Sequence, residues 1–218
     1  VAHPLAHFDL DNTLIDRQKA FRHWAIEWQK MNDLPADAIQ WLIANDRDGY
    51  RPRVDLMLAA AEQFELDCDP EDLVNQYRQE FPTCFAPDAA VIERLRQLQG
   101  LGWRMVVVTN GSRTQRAKLA SAGLASAGLA AEFDTVLVSE EVGERKPSPA
   151  IFRPAVETVG SQMSAGWMVG DNPVTDIQGA AEVALNTIWI AAGREWSLPE
   201  VCPCVVVQSI HDAFTHLV

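Results

Sequence analysis

Six short apolar runs punctuate the chain, and their length and spacing restrict the folds open to it. They are Leu5-Ala6-His7-Phe8, Met105-Val106-Val107-Val108, Thr135-Val136-Leu137-Val138, Trp167-Met168-Val169, Thr187-Ile188-Trp189-Ile190 and Val205-Val206-Val207. Segments with helical periodicity lie between them, over 89–98, 113–122, 150–159 and 175–184. Runs of strand length, apolar on both faces and alternating with helices, fit a parallel sheet covered on both sides. The pattern predicts an α/β fold with a Rossmann-like core.

One stretch breaks the alternation. From Arg17 to about Phe85 no strand pattern appears, only amphipathic helix. Phe21, Trp24, Ala25, Trp28 and Met31 recur at spacings of three and four, as one face of a helix does. Val54, Leu58, Ala61 and Phe64 predict a second face, and Leu73, Tyr77 and Phe81 a third. The expected organisation is a core of residues 1–15 and 88–218 and an all-helical insert of residues 16–87. The segment from Asn45 to Arg53 reads as a loop between insert helices. A tandem repeat, Ala120-Ser121-Ala122-Gly123-Leu124 followed by Ala125-Ser126-Ala127-Gly128-Leu129, is read as a structural insertion of little catalytic effect.

In open parallel sheets, ligands bind beyond the carboxyl ends of the strands. Four of the runs lead there into polar residues of one chemical kind: Asp9-Leu10-Asp11-Asn12-Thr13, Thr109-Asn110-Gly111, Lys146-Pro147, and Gly170-Asp171 through Asp176. Phosphoryl transfer needs a nucleophile, neutralisation of the phosphoryl oxygens and a proton for the leaving alkoxide. Asp9 and Asp11 can supply nucleophile and acid, provided the chain turns after Leu10, with Thr13 expected to help hold that turn. Asp171 adds an oxygen ligand suited to Mg²⁺. Lys146 adds a fixed positive charge, and Thr109 a hydroxyl and a backbone N–H.

In this order, these four motifs resemble those of the haloacid dehalogenase superfamily, and the insert resembles its type-one helical cap. The resemblance covers nearly the whole chain. It implies that Asp9 attacks phosphorus, while Asp11 protonates the leaving group and later activates water. It further implies that Thr109 and Lys146 hold the phosphoryl oxygens of the phosphate-binding site, with Asn110 adding a neighbouring backbone contact. Asp9, Asp11 (through its backbone carbonyl) and Asp171 would bind Mg²⁺, with Asp176 behind them ordering Lys146 or a metal-bound water. Arg47, Arg51 and Arg53 are candidates for a second anionic group of the substrate. The expected activity is phosphomonoester hydrolysis of a small phosphorylated metabolite. A phosphosugar mutase of the same superfamily is the alternative within the enzyme class. A phosphoacceptor signalling domain or a catalytically inert phosphate-binding protein is the alternative outside it.

With 18 Lys and Arg against 30 Asp and Glu the net charge is −12, which repels nucleic acid and anionic membrane surfaces. Neither is an expected partner. The four cysteines include no CxxC pair, so they are read as reduced thiols of a cytoplasmic protein, with Cys202 and Cys204 serving packing alone. A monomer or homodimer is expected. None of the five histidines is expected to be catalytic.

Overall fold

The computed structural model describes residues 3–123, 129–159 and 166–217. Six parallel strands form one sheet: β1 (Leu5–Phe8), β2 (Arg104–Thr109), β3 (Thr135–Val138), β4 (Gly166–Gly170), β5 (Asn186–Ile190) and β6 (Val205–Val207). Each contains one of the predicted runs. Their order is β3-β2-β1-β4-β5-β6. Leu5 stands opposite both Arg104 of β2 and Gly166 of β4, and all four residues of β1 are buried. The order reverses between β1 and β4, so the ends of these strands flank the switch point where such sheets open a crevice.

The chain divides into two compact units, Val1–Ile15 with Pro87–Val218, and Asp16–Ala86. The second is the helical insertion between β1 and β2. It contains α1 (Arg17–Met31), α2 (Ala38–Asp46), α3 (Arg53–Gln63) and α4 (Pro70–Glu80). Asp16 and Asp69 cap the first turns of α1 and α4 through their side chains, satisfying amides that have no partner within the helix. Phe21, Trp24, Ala25 and Trp28 are buried, but Met31 at the end of the predicted stripe is 62% exposed. On α3 the predicted face is the wrong one: Val54 and Leu58 are exposed, while Leu56, Met57 and Ala60 are buried. Leu73, Tyr77 and Phe81 are buried as predicted. The predicted loop from Asn45 to Arg53 is mostly helical, because α2 runs to Asp46, a 3₁₀ turn follows over Arg47–Gly49, and α3 opens at Arg53.

The insert's interior carries one buried ionic cluster. Arg17 donates from Nη1 and Nη2 to Oδ2 and Oδ1 of Asp46 at 2.7 and 2.9 Å, and Arg53 Nη1 lies 2.6 Å from Asp46 Oδ1. Burial alone would push the Asp46 carboxyl up, but the two guanidiniums outweigh it and hold it below the ordinary range.

In the first unit the sheet is flanked by α5 (Ala89–Gly100), α6 (Thr114–Ser121), α7 (Ser139–Val142), α8 (Arg153–Val159), α9 (Gly179–Ala181) and α10 (Ile210–Phe214). A core of Leu5, Val106, Val108, Leu137, Phe152 and Met168 lies between helices and sheet. The helix predicted from Thr175 instead starts at Pro173 as a π-helical turn, Pro173–Gln178, that runs on into α9. Of the tandem repeat, α6 ends at Ser121 and residues 124–128 lie outside the described ones. Cys68, Cys202 and Cys204 are exposed, so Cys202 and Cys204 pack no core; all four cysteines are free thiols. Among the described residues no helix is long and apolar enough to cross a membrane.

Candidate active site

Beyond β1 the chain turns back on itself. The amides of Thr13, Leu14 and Ile15 all donate to the carbonyl of Leu10, and Asn12 N donates to Ile15 O. The turn is held by backbone; the buried Thr13 hydroxyl has no hydrogen-bond partner, contrary to the role expected of it. Asp9 N donates to Val169 O at 2.9 Å, tying the first motif to the end of β4.

At this switch point the carboxylates of Asp9, Asp171 and Asp176 converge, with one oxygen of each within 4.8 Å of the others. All three residues are buried. Lys146 lies among them, its Nζ 2.6 Å from Asp9 Oδ1 and 2.6 Å from Asp176 Oδ1. Its side chain is 1% exposed, so its charge is tolerable only because two carboxylates meet it. Burial acts to lower the pKa of this ammonium, yet the two carboxylates win and raise it above the ordinary lysine range. For Asp9 the balance falls the other way. Burial, joined by the charges of Asp176 and Asp11, pushes its carboxyl up to about 7 against the pull of Lys146.

The supports of these groups are local. Asp176 Oδ2 accepts from Asn172 N at 2.9 Å, and a Cβ on Gly170 would meet the Asp176 side chain at 2.4 Å, so this carboxylate needs the bare backbone of a glycine. The helix start is capped by Asn172, whose Oδ1 accepts from Val174 N and Thr175 N, so Asp176 does not cap it. Asn110 and Lys146 exchange two bonds: Asn110 Nδ2 to Lys146 O at 2.9 Å, and Lys146 N to Asn110 Oδ1 at 2.8 Å. The Asn110 side-chain amide is thus spent on the lysine's backbone.

Three residues absent from the sequence reading belong to this neighbourhood. Lys118 on α6 brings Nζ to 2.8 and 2.7 Å from the two carboxylate oxygens of Asp11. Gln115, one turn earlier, donates from Nε2 to Thr109 Oγ1 at 2.7 Å and to Asp11 Oδ2 at 3.0 Å. Arg194 places Nη1 3.1 Å from Asp171 Oδ2 and donates from Nη2 to the Asp171 carbonyl, which Trp189 Nε1 also binds. The side chain of Asp11 is thus turned to α6 and takes no part in the Asp9–Asp171–Asp176 group.

Of the insert arginines, Arg47 is exposed, Arg51 donates to Asn45 Oδ1 at 2.7 Å, and Arg53 is committed to Asp46. The charge of Arg53 is therefore already matched inside the insert. His7 is buried in β1 beside Phe152, and burial lowers its pKa to about 4, so it is neutral at physiological pH.

Four carboxylates (Asp9, Asp11, Asp171 and Asp176) face three cations (Lys118, Lys146 and Arg194), an excess of negative charge. Oxygen donors in this number, buried and converging, fit a hard divalent cation.

Residues 7–190 match the family of haloacid dehalogenase-like hydrolases. The phosphoserine phosphatase of Thermus thermophilus is 34% identical over 138 residues, which are 63% of this chain and 52% of that protein. This chain thus aligns with about half the length of that relative. The glyceraldehyde 3-phosphate phosphatase of Pyrococcus abyssi is 29% identical over 203 residues, 86% of this chain and 81% of that protein. Among solved structures, the HAD-hydrolase YfnB of Bacillus subtilis, bound to magnesium, matches with a TM-score of 0.75 at 22% identity. That likeness covers 100% of this chain and 99% of that one, and is one of fold. By the family match over 7–190, and by the fold that shares it, this chain belongs to the haloacid dehalogenase-like hydrolases.

Proposed function

We propose that the protein is a magnesium-dependent phosphomonoester hydrolase that passes the phosphoryl group through Asp9. The observation that carries this reading is the buried group of Asp9, Lys146, Asp171 and Asp176 at the switch point of the sheet. A carboxylate oxygen of Asp9 attacks phosphorus, the ester P–O bond breaks, and the leaving alkoxide takes a proton from Asp11. A water molecule then attacks the aspartyl phosphate, gives its proton to Asp11 and releases inorganic phosphate.

Lys146 holds a phosphoryl oxygen and Thr109 donates its hydroxyl to another, both stabilising charge that spreads over the phosphoryl oxygens. Asp9, Asp171 and the Asp11 carbonyl would hold magnesium, which would supply the positive charge that lets a phosphate approach two acidic side chains. Asp176 fixes Lys146 and shares its charge. Lys118 and Gln115 hold the Asp11 carboxyl in place for both proton transfers.

The named activities of the relatives support a small phosphorylated metabolite as substrate. A dehalogenase displaces halide from carbon and needs neither Asp11 as acid nor a divalent ion, so both would be superfluous here. Screening phosphorylated metabolites for release of inorganic phosphate with Mg²⁺ is the test. Release from at least one small ester, lost in Asp9→Asn, is expected. Transfer of phosphate between positions of a sugar without release would instead favour the mutase.

A further inference from the structure

Gln115 stands where the phosphate-holding hydroxyl and the proton-carrying carboxyl meet, and it belongs to none of the four motifs. It is buried, 3% exposed, although it sits on a helix flank where a glutamine would ordinarily face water. Its amide nitrogen reaches two acceptors, Thr109 Oγ1 at 2.7 Å and Asp11 Oδ2 at 3.0 Å.

The orientation of that amide follows from chemistry. Asp11 is clasped by the Lys118 ammonium through both oxygens, as an ionised carboxylate is, and such a carboxylate only accepts hydrogen bonds. The Gln115 atom facing it must therefore be the nitrogen, since an amide oxygen there would set acceptor against acceptor. An NH₂ group has two hydrogens, and two acceptors lie within reach. One hydrogen goes to Asp11, and the other goes to the Thr109 oxygen. Thr109 thus accepts from Gln115, which keeps the hydroxyl's single proton pointed away from the helix and available as a donor.

Gly111 makes room for this arrangement. A Cβ there would lie 2.7 Å from Gln115 Cγ and 2.9 Å from its Cδ. The glycine of Thr109-Asn110-Gly111 is the surface against which the glutamine side chain lies.

We infer that Gln115 is a positioning residue that fixes the direction of the Thr109 hydroxyl toward a phosphoryl oxygen while bracing the Asp11 carboxylate. The inference rests on the reading of Thr109 as a phosphate ligand given above. It differs from a packing role because the effect must pass through the Thr109 oxygen.

A double-mutant cycle on the full chain with Mg²⁺ tests this, using inorganic phosphate as a competitive inhibitor of ester hydrolysis. Thr109→Val and Gln115→Leu keep side-chain volume while removing the hydroxyl and the amide. Each is expected to raise the Ki for phosphate by about tenfold to a hundredfold, the size of one hydrogen bond to a charged group. In the Thr109→Val background, Gln115→Leu should add less than about twofold, because coupled neighbours are not additive. Gly111→Ala, which displaces the glutamine without removing it, should raise Ki in the same way and likewise add little to Thr109→Val. This second variant decides the matter if Gln115→Leu fails to fold.

If Thr109→Val leaves Ki unchanged, the reading of Thr109 as a ligand fails and the inference falls with it. If Thr109→Val weakens phosphate but Gln115→Leu has no effect, or has the same effect in both backgrounds, the ligand reading stands and the inference alone is overturned.

Discussion

Asp9 is held by opposing demands. The nucleophile proposed here must be ionised, yet burial pushes its carboxyl up to about 7, with Lys146 only partly offsetting the cost. On the proposed reading a proton and a divalent cation compete for the same oxygens. Binding of Mg²⁺ would release the proton, so its affinity should fall as pH drops below the folded pKa and level off above it. By calorimetry the Kd for Mg²⁺ should rise about tenfold per pH unit below about pH 7 and change little above about pH 8. Asp9→Asn should flatten that dependence and lower kcat by at least about 10⁴-fold, as loss of a nucleophile does. A pH-independent affinity in the native protein would contradict the burial argument. Asp9, Lys146 and Asp171 were legible in the sequence because each follows an apolar run in a short motif whose chemistry is coherent. Gln115, Lys118 and Arg194 were not. Gln115 and Lys118 occupy ordinary helix positions, and their partner Asp11 lies 104 and 107 residues away. No spacing rule joins residues that far apart.

At the scale of elements, the strands were readable and the insert was only half so. A buried parallel strand is apolar on both faces, and β1 to β5 announce themselves by that run alone. Helix faces depend on what covers them. Seven of the eleven residues of α3, Arg53-Val-Asp-Leu-Met-Leu-Ala-Ala-Ala-Glu-Gln63, are apolar, so more than one stripe can be drawn along it. Packing within the insert selects Leu56, Met57 and Ala60. Leu56→Ala should cost about 2–5 kcal/mol, as buried leucines do, whereas Leu58→Ala should stay within about 0.5 kcal/mol. Urea unfolding of the two variants checks this, and equal costs would refute the observed register. Likewise Gly170→Ala drives a methyl into Asp176. It should lower the melting temperature and reduce turnover by at least about tenfold, because a small shift of a positioned group is enough to lose that much.

For the molecule as a whole, acidity is what the proposed function must overcome. A net charge of −12 and an excess of carboxylates at the switch point would both disfavour a phosphate ester, and a divalent cation would address both at once. EDTA should abolish phosphate release and added Mg²⁺ should restore it. On the proposed reading Mg²⁺ binds the folded chain preferentially, so a concentration about 100 times its Kd should stabilise the fold by about 2.7 kcal/mol, visible as a higher melting temperature. The order of the strands has a further consequence, one that concerns the ribosome. β1 is made first, yet Leu5 pairs with Arg104 and Gly166. The nascent chain must extrude the entire helical insert before the first neighbour of β1 exists, and some sixty residues more before the second. The nascent chain thus carries β1, three of whose four residues are apolar, without a partner strand until β2 is made, while the helices of Asp16–Ala86 can already form from local contacts.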